Sequence, residues 1–255
     1  QFSLRLICGM SLMWSVMPRR QVTSGFFRIQ MLVVLGLSIL CALTIGQVLG
    51  DLPDGDFLLT QSLGIGCSAG LAVMAFVGSI LWTLERRRGG TVCTFLIAAG
   101  SAVLLLLSAV PSASLGKPLV GLLILSELST AAMLGSTVTG MLLGHWYLTA
   151  PTMSTTPLNR LNLYVGLSAI GRLVLSGIGL LLAWDQVASG TIWLWLSLRW
   201  IAGIAGPLLG AVMVWRILKY RNTQSATGVL FVVVVLVFIG ELSASLLRTE
   251  IAIPL

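Results

Sequence analysis

The sequence predicts an all-α, polytopic integral membrane helical bundle of about eight transmembrane helices, and three observations carry that prediction. Hydrophobic residues fill 57% of the 255 positions and charged residues only 9%, whereas soluble domains carry about 25% charge. The stretches Ile29–Gly50, Phe57–Leu84 and Gly89–Gly116 hold no charge at all. Each exceeds the roughly 20 residues that a helix needs to cross ~30 Å of hydrocarbon. The ionisable residues gather between such stretches, with their sign alternating from gap to gap. Period-two alternation is absent, which excludes a transmembrane β-barrel.

Taken in order, the first crossing covers about 2–17. It is short and carries Arg5, and the chain opens on Gln1 with apolar sequence already under way, so it reads as a truncated or partly ordered helix. A cleaved leader is disfavoured because no A-x-A-like site precedes Pro18. The second crossing, 29–49, lies between Arg28 and Asp51. The third, 59–83, follows Pro53 and Gly55 and stops ahead of Arg86, Arg87 and Arg88. The fourth, 92–110, begins after Gly89 and Gly90 and ends at Pro111. The fifth, 118–148, ends before Pro151, and the sixth, 161–184, runs from beyond Pro157 and Arg160 to Asp185. Proline and glycine punctuate these gaps because neither continues a helix freely. The seventh, 191–218, contains Pro207 in the run GIAGPLLG. Its ring crowds the carbonyl of Gly203, which predicts a kink about one turn from Arg199. The eighth covers 226–247. The gaps are too short for a second module, so residues 1–255 read as one transmembrane domain.

Arg19, Arg20, Arg28, Arg86, Arg87, Arg88, Arg160, Lys219 and Arg221 fall on one side of this topology. Asp51, Asp54, Asp56, Asp185 and Lys117 fall on the other. The positive-inside rule makes the first set cytoplasmic, in a bacterial inner membrane, with both chain ends outside. Trp14, Trp82, Trp146, Tyr147, Trp215 and Tyr220 at inner ends, and Trp184, Trp193 and Trp195 at outer ends, form the expected interfacial belts. The formal charge of +7 is that of basic cytoplasmic loops facing anionic lipid; without a soluble basic domain, nucleic acid is not a partner. Cys8, Cys41, Cys67 and Cys93 lack CxxC spacing and read as small packing residues. Glycine clusters around 64–70, 166–177 and 203–210 suit close helix packing or a subunit face.

Glu127, Arg172, Arg199 and Glu241 lie within predicted spans, where a central charge costs about 2.5–3.5 kcal/mol unless it is paired or hydrated. At a rise of about 1.5 Å per residue, Glu127, Arg199 and Glu241 sit roughly 10–14 Å below the outer end and Arg172 about mid-membrane. Two acids and two bases at these depths are expected to form one network across helices five to eight. That network is either a structural lock or a pocket in which arginine polarises a carbonyl and a carboxylate carries protons. His145 is the only histidine, so a bis-His haem has no ligands here. His145, Trp146 and Arg160 flank a hydroxyl- and proline-rich connection and are candidate partner or headgroup contacts.

No P-loop, HExxH, GxSxG or CxxC occurs, and no DDxxD-like array is present. No metal site or resident cofactor is expected; a quinone or lipid is the candidate ligand. Short loops and several glycine faces suit a subunit of a multi-subunit energy-transducing or electron-transfer complex, with other membrane subunits and the bilayer as partners. A secondary transporter and a lipid-modifying membrane enzyme are the alternatives. The eight-helix, haem-free layout is similar to that of the NrfD-type quinol-binding membrane subunits, a resemblance of architecture that no motif carries to particular residues.

Overall fold

The computed structural model describes residues 1–50, 61–109, 117–150, 152–182, 184 and 190–250. Asp51, Pro53, Asp54, Gly55, Asp56, Pro111, Pro151 and Asp185 lie outside the described residues, as does the side chain of Lys117. The protein is an all-α polytopic membrane bundle, with no strand among the described residues. Among the described residues nine α-helices follow in order: α1 (Phe2–Val16), α2 (Ser24–Gly50), α3 (Gln61–Thr83), α4 (Arg87–Ala109), α5 (Lys117–Trp146), α6 (Thr156–Leu182), α7 (Gly190–Trp200), α8 (Gly206–Lys219) and α9 (Thr223–Glu250). A π-helical turn, Ile201–Ala205, joins α7 to α8, so that the two form one span, Gly190–Lys219. Among the described residues seven spans are long and apolar enough to cross a membrane, and the fifteen-residue α1 is shorter.

The chain divides into two compact units, Gln1–Ala131 and Ala132–Leu255, with α5 passing from the first into the second. In the first unit α2 packs on α3, and α4 packs on both α1 and α3. Phe27 stacks on Trp82 with ring centroids 4.4 Å apart, and Trp14, Trp82, Met10 and Met31 are fully buried. In the second unit α9 packs against α7, the π turn and α8, while α6 packs on α8. Asn162 Nδ2 donates to the Ala211 carbonyl at 2.9 Å, tying α6 to α8. Large apolar side chains such as Val73, Phe76, Val103, Leu181 and Val232 are exposed. On a membrane bundle such side chains face acyl chains, so their exposure carries no penalty in place.

The connections follow from the local chemistry of helix ends. α1 stops at Pro18, and Arg19 Nη1 donates to the carbonyls of Trp14 and Ser15, at 3.0 and 2.7 Å. A cation on the last carbonyls is the favourable arrangement at the negative end of a helix dipole. The α3–α4 connection is a Schellman turn: Arg86 N–H donates to Leu81 O at 2.9 Å and Glu85 N–H to Trp82 O at 3.3 Å. Glu85 holds φ at 55° there, the left-handed conformation that glycine adopts without strain. Arg221 does the same after α8, with φ 54°, and Asn222 Oδ1 then caps α9 by accepting the Ser225 N–H at 3.0 Å.

Pro157 and Pro207 end up differently from expectation. Pro157 lies inside the first turn of α6, the one helical position where a missing N–H costs nothing. α6 therefore starts at Thr156 rather than near 161. Around Pro207 the interrupted ladder is taken up by the π turn just before it, where π turns commonly mark a functional site. That turn also brings backbone to backbone: a Cβ on Gly203 would stand 2.9 Å from the Gly240 Cα.

Candidate functional site

Each unit holds buried charges of its own. In the second, Arg172 on α6, Arg199 at the end of α7 and Glu241 on α9 converge. Arg199 Nη1 donates to Glu241 Oε1 at 2.8 Å, and Arg172 Nη2 lies 3.7 Å from the same oxygen. All three side chains are buried, with Arg199 wholly inaccessible. The elements explain the meeting. Arg199 stands two residues before the π turn, and Glu241 immediately follows Gly240, whose lack of a side chain lets α9 approach Gly203 on that turn. Of the four residues expected in one network, Arg172, Arg199 and Glu241 are thus brought together.

The arrangement is electrically lopsided. Two guanidinium groups share one carboxylate, and Glu241 is the only carboxylate among the described side chains of this unit. Arg199 Nε and Nη2 are buried and donate to nothing. A buried unsatisfied donor costs about 1–3 kcal/mol, more when it is charged. These two donors are the part of the site with capacity left over for an acceptor oxygen.

Glu127 belongs to the first unit. Its carboxylate is held in a two-point fork by Arg5: Nε to Oε2 at 2.6 Å and Nη2 to Oε1 at 2.7 Å. Both side chains are buried, and the fork ties α1 to α5. The sequence reading brought Glu127 into a network of four and left Arg5 outside it. The signal for Arg5 was nevertheless the same as for the others, a permanent cation inside an apolar run. Its proximity to the start of the chain made it read as a mark against the helix.

His145 and Trp146 close α5, and Arg160 sits in the second turn of α6; His145 and Arg160 are exposed and exchange no hydrogen bond among the described residues. The connection between them is organised by Tyr147, which is buried and donates its hydroxyl to the Ser154 carbonyl. Burial pushes the Tyr147 phenol up to about 12. Cys8, Cys41 and Cys93 are buried and Cys67 is exposed, all as free thiols.

Compared with protein-family models, with characterised proteins and with solved structures, the chain matches none.

Proposed function

We propose that the chain is a subunit of a bacterial inner-membrane electron-transfer or energy-transducing complex. In this reading the second unit holds a lipophilic ligand bearing a carbonyl or anionic oxygen, for which a quinone has the right chemistry. The arginine-rich loops face the cytoplasm. The observation that carries the reading is the pair of unpartnered donors on buried Arg199, set against a carboxylate already shared with Arg172. A carbonyl accepting from Arg199 Nη2 would satisfy a charged donor at membrane depth, and Glu241 beside it is a group able to exchange a proton. The π turn next to Arg199 supports the same location, since such turns cluster at ligand sites. The interruption of that span also favours the secondary-transporter alternative, because broken helices line transporter sites.

The test is labelling of the native membrane complex with a photoreactive quinone analogue, in wild type and Arg199→Leu. Labelling of this chain that drops at least tenfold in the variant, while the complex still assembles on a native gel, supports the reading. Equal labelling in both, or purification of the chain as a stable, partner-free monomer that moves a solute, overturns it.

A further inference from the structure

The first unit carries a second polar feature, far in character from the buried ion pairs. The geometry points to a binding site for an anionic phospholipid, its phosphate in an arginine-lined cavity and one acyl chain in the groove that continues down α4. The cavity, about 780 Å³, lies between the α1–α2 connection and the start of α4. Among the described residues it is lined by Arg19, Arg20, Arg87, Arg88, Trp82 and Thr91, with Val92 at its lower edge.

Four guanidinium groups around one cavity repel each other unless an anion sits among them. No carboxylate supplies that charge among the described residues: Glu85, the nearest acid in sequence, does not line the cavity and pairs with none of the four. Two of the arginines are positioned by the fold. Arg19 is fixed on the carbonyl end of α1 and lies over the Phe95 ring, 5.0 Å from its centroid. Arg87 donates to the Arg19 carbonyl at 3.4 Å. Arg20 and Arg88 are exposed and have no such anchor. The opening turn of α4 adds the positive end of a helix dipole to the same wall.

Trp82 supplies an independent sign of an absent acceptor. The indole is 1% exposed and held flat by Phe27, yet its Nε1–H donates to nothing. That N–H lies over Gly90 in the first turn of α4, where a Cβ would stand 2.7 Å from the nitrogen. A buried indole N–H normally finds an acceptor, and a phosphate oxygen in this cavity is one.

The lipid, as opposed to a free phosphate, is argued from what lies below. Val92 edges the cavity, and Leu96, Ala99, Gly100, Val103 and Leu107 line an apolar groove of about 490 Å³ between α3 and α4. Steps of three and four residues keep Val92, Leu96, Ala99, Val103 and Leu107 on one helix face. From 96 to 107 the groove runs about 16 Å at 1.5 Å per residue, close to the ~15 Å of one leaflet's hydrocarbon. A charged head above and an apolar channel of leaflet length on the same face match an anionic phospholipid.

The experiment uses the full chain in neutral detergent, with lipid binding read by native mass spectrometry against added phosphatidylglycerol, phosphatidylcholine or inorganic phosphate. Arg20→Gln with Arg88→Gln removes two exposed charges without touching the buried ones. This pair is expected to weaken phosphatidylglycerol binding roughly 10- to 30-fold while the melting temperature holds. Gly70→Leu fills the groove from a position whose Cβ meets nothing within 4 Å. It is expected to weaken long-chain phosphatidylglycerol several-fold and to leave the six-carbon-chain form unchanged. Equal binding of phosphatidylcholine, an arginine pair without effect, or displacement of the lipid by inorganic phosphate each overturns the proposal.

Discussion

Replacing Glu241 by glutamine keeps its shape and removes its charge, which isolates the electrostatic role of the carboxylate. In the native protein, Oε1 faces Arg199 Nη1 at 2.8 Å and Arg172 Nη2 at 3.7 Å, and none of the three side chains is more than 2% exposed. Glutamine leaves Arg199 buried without the carboxylate it donates to and takes the same charge from beside Arg172. Breaking a buried pair from one side costs about 3–5 kcal/mol. Here the carboxylate serves two cations, so the upper half of that range is expected. Arg199→Leu should cost less, because Arg172 keeps its carboxylate and two unsatisfied donors of Arg199 disappear, each returning about 1–3 kcal/mol. The assay is equilibrium unfolding in mixed micelles by graded addition of a denaturing detergent, followed by far-ultraviolet dichroism. The double variant completes a cycle whose coupling energy should fall near 1–3 kcal/mol. If Glu241→Gln unfolds within about 0.5 kcal/mol of wild type, water reaches these charges and the argument from burial is wrong.

Arg5→Leu takes both hydrogen bonds of the fork from the inaccessible Glu127, at an expected loss of about 3–5 kcal/mol; adding Glu127→Leu should recover most of it, and no recovery would show that the fork does not hold α1. Glu85→Gly relieves a left-handed φ of 55° and should raise stability by about 1 kcal/mol, read as a higher melting temperature. Tyr147→Phe removes the donor to the Ser154 carbonyl at an expected cost near 1 kcal/mol at neutral pH. Because burial lifts this phenol from 10 to about 12, its neutral form favours the folded state. The contribution is complete below pH 10 and is lost as pH climbs through 12. Melting temperatures of wild type and variant should therefore converge across that interval, and parallel curves would contradict the assignment.

Much of the fold was legible because a membrane allows few solutions: apolar length demands helices, and charge marks their ends. Boundaries were less so. The start of α4 lies at Arg87 rather than near 92 because a Schellman turn reverses the chain over only a few residues, and hydropathy does not register such geometry. At Pro207 the rule of ring against carbonyl located the disturbance correctly. Which relief the backbone chose, a π turn, depended on Gly240 across the interface. Depth grouped Glu127, Arg199 and Glu241 and set Arg172 deeper, so the approach of Arg172 to Glu241, like the fork of Arg5 on Glu127, needed knowledge of which helices touch. The arginine cavity was hidden differently. Arg19, Arg20, Arg87 and Arg88 were visible as orienting charges, and that explanation was sufficient by itself until two sequence-distant loops met around Trp82.

The fork between Arg5 and Glu127 joins residues 122 positions apart. At a synthesis rate of roughly 5–20 residues per second, the arginine emerges some 6–24 s before its carboxylate exists. During that interval the cation on α1 lacks the carboxylate that holds it in the finished fold. It has reason to wait at the interface or beside the insertion machinery until α5 is delivered. α1 would thus settle only after α5, which follows it in the chain, has been made.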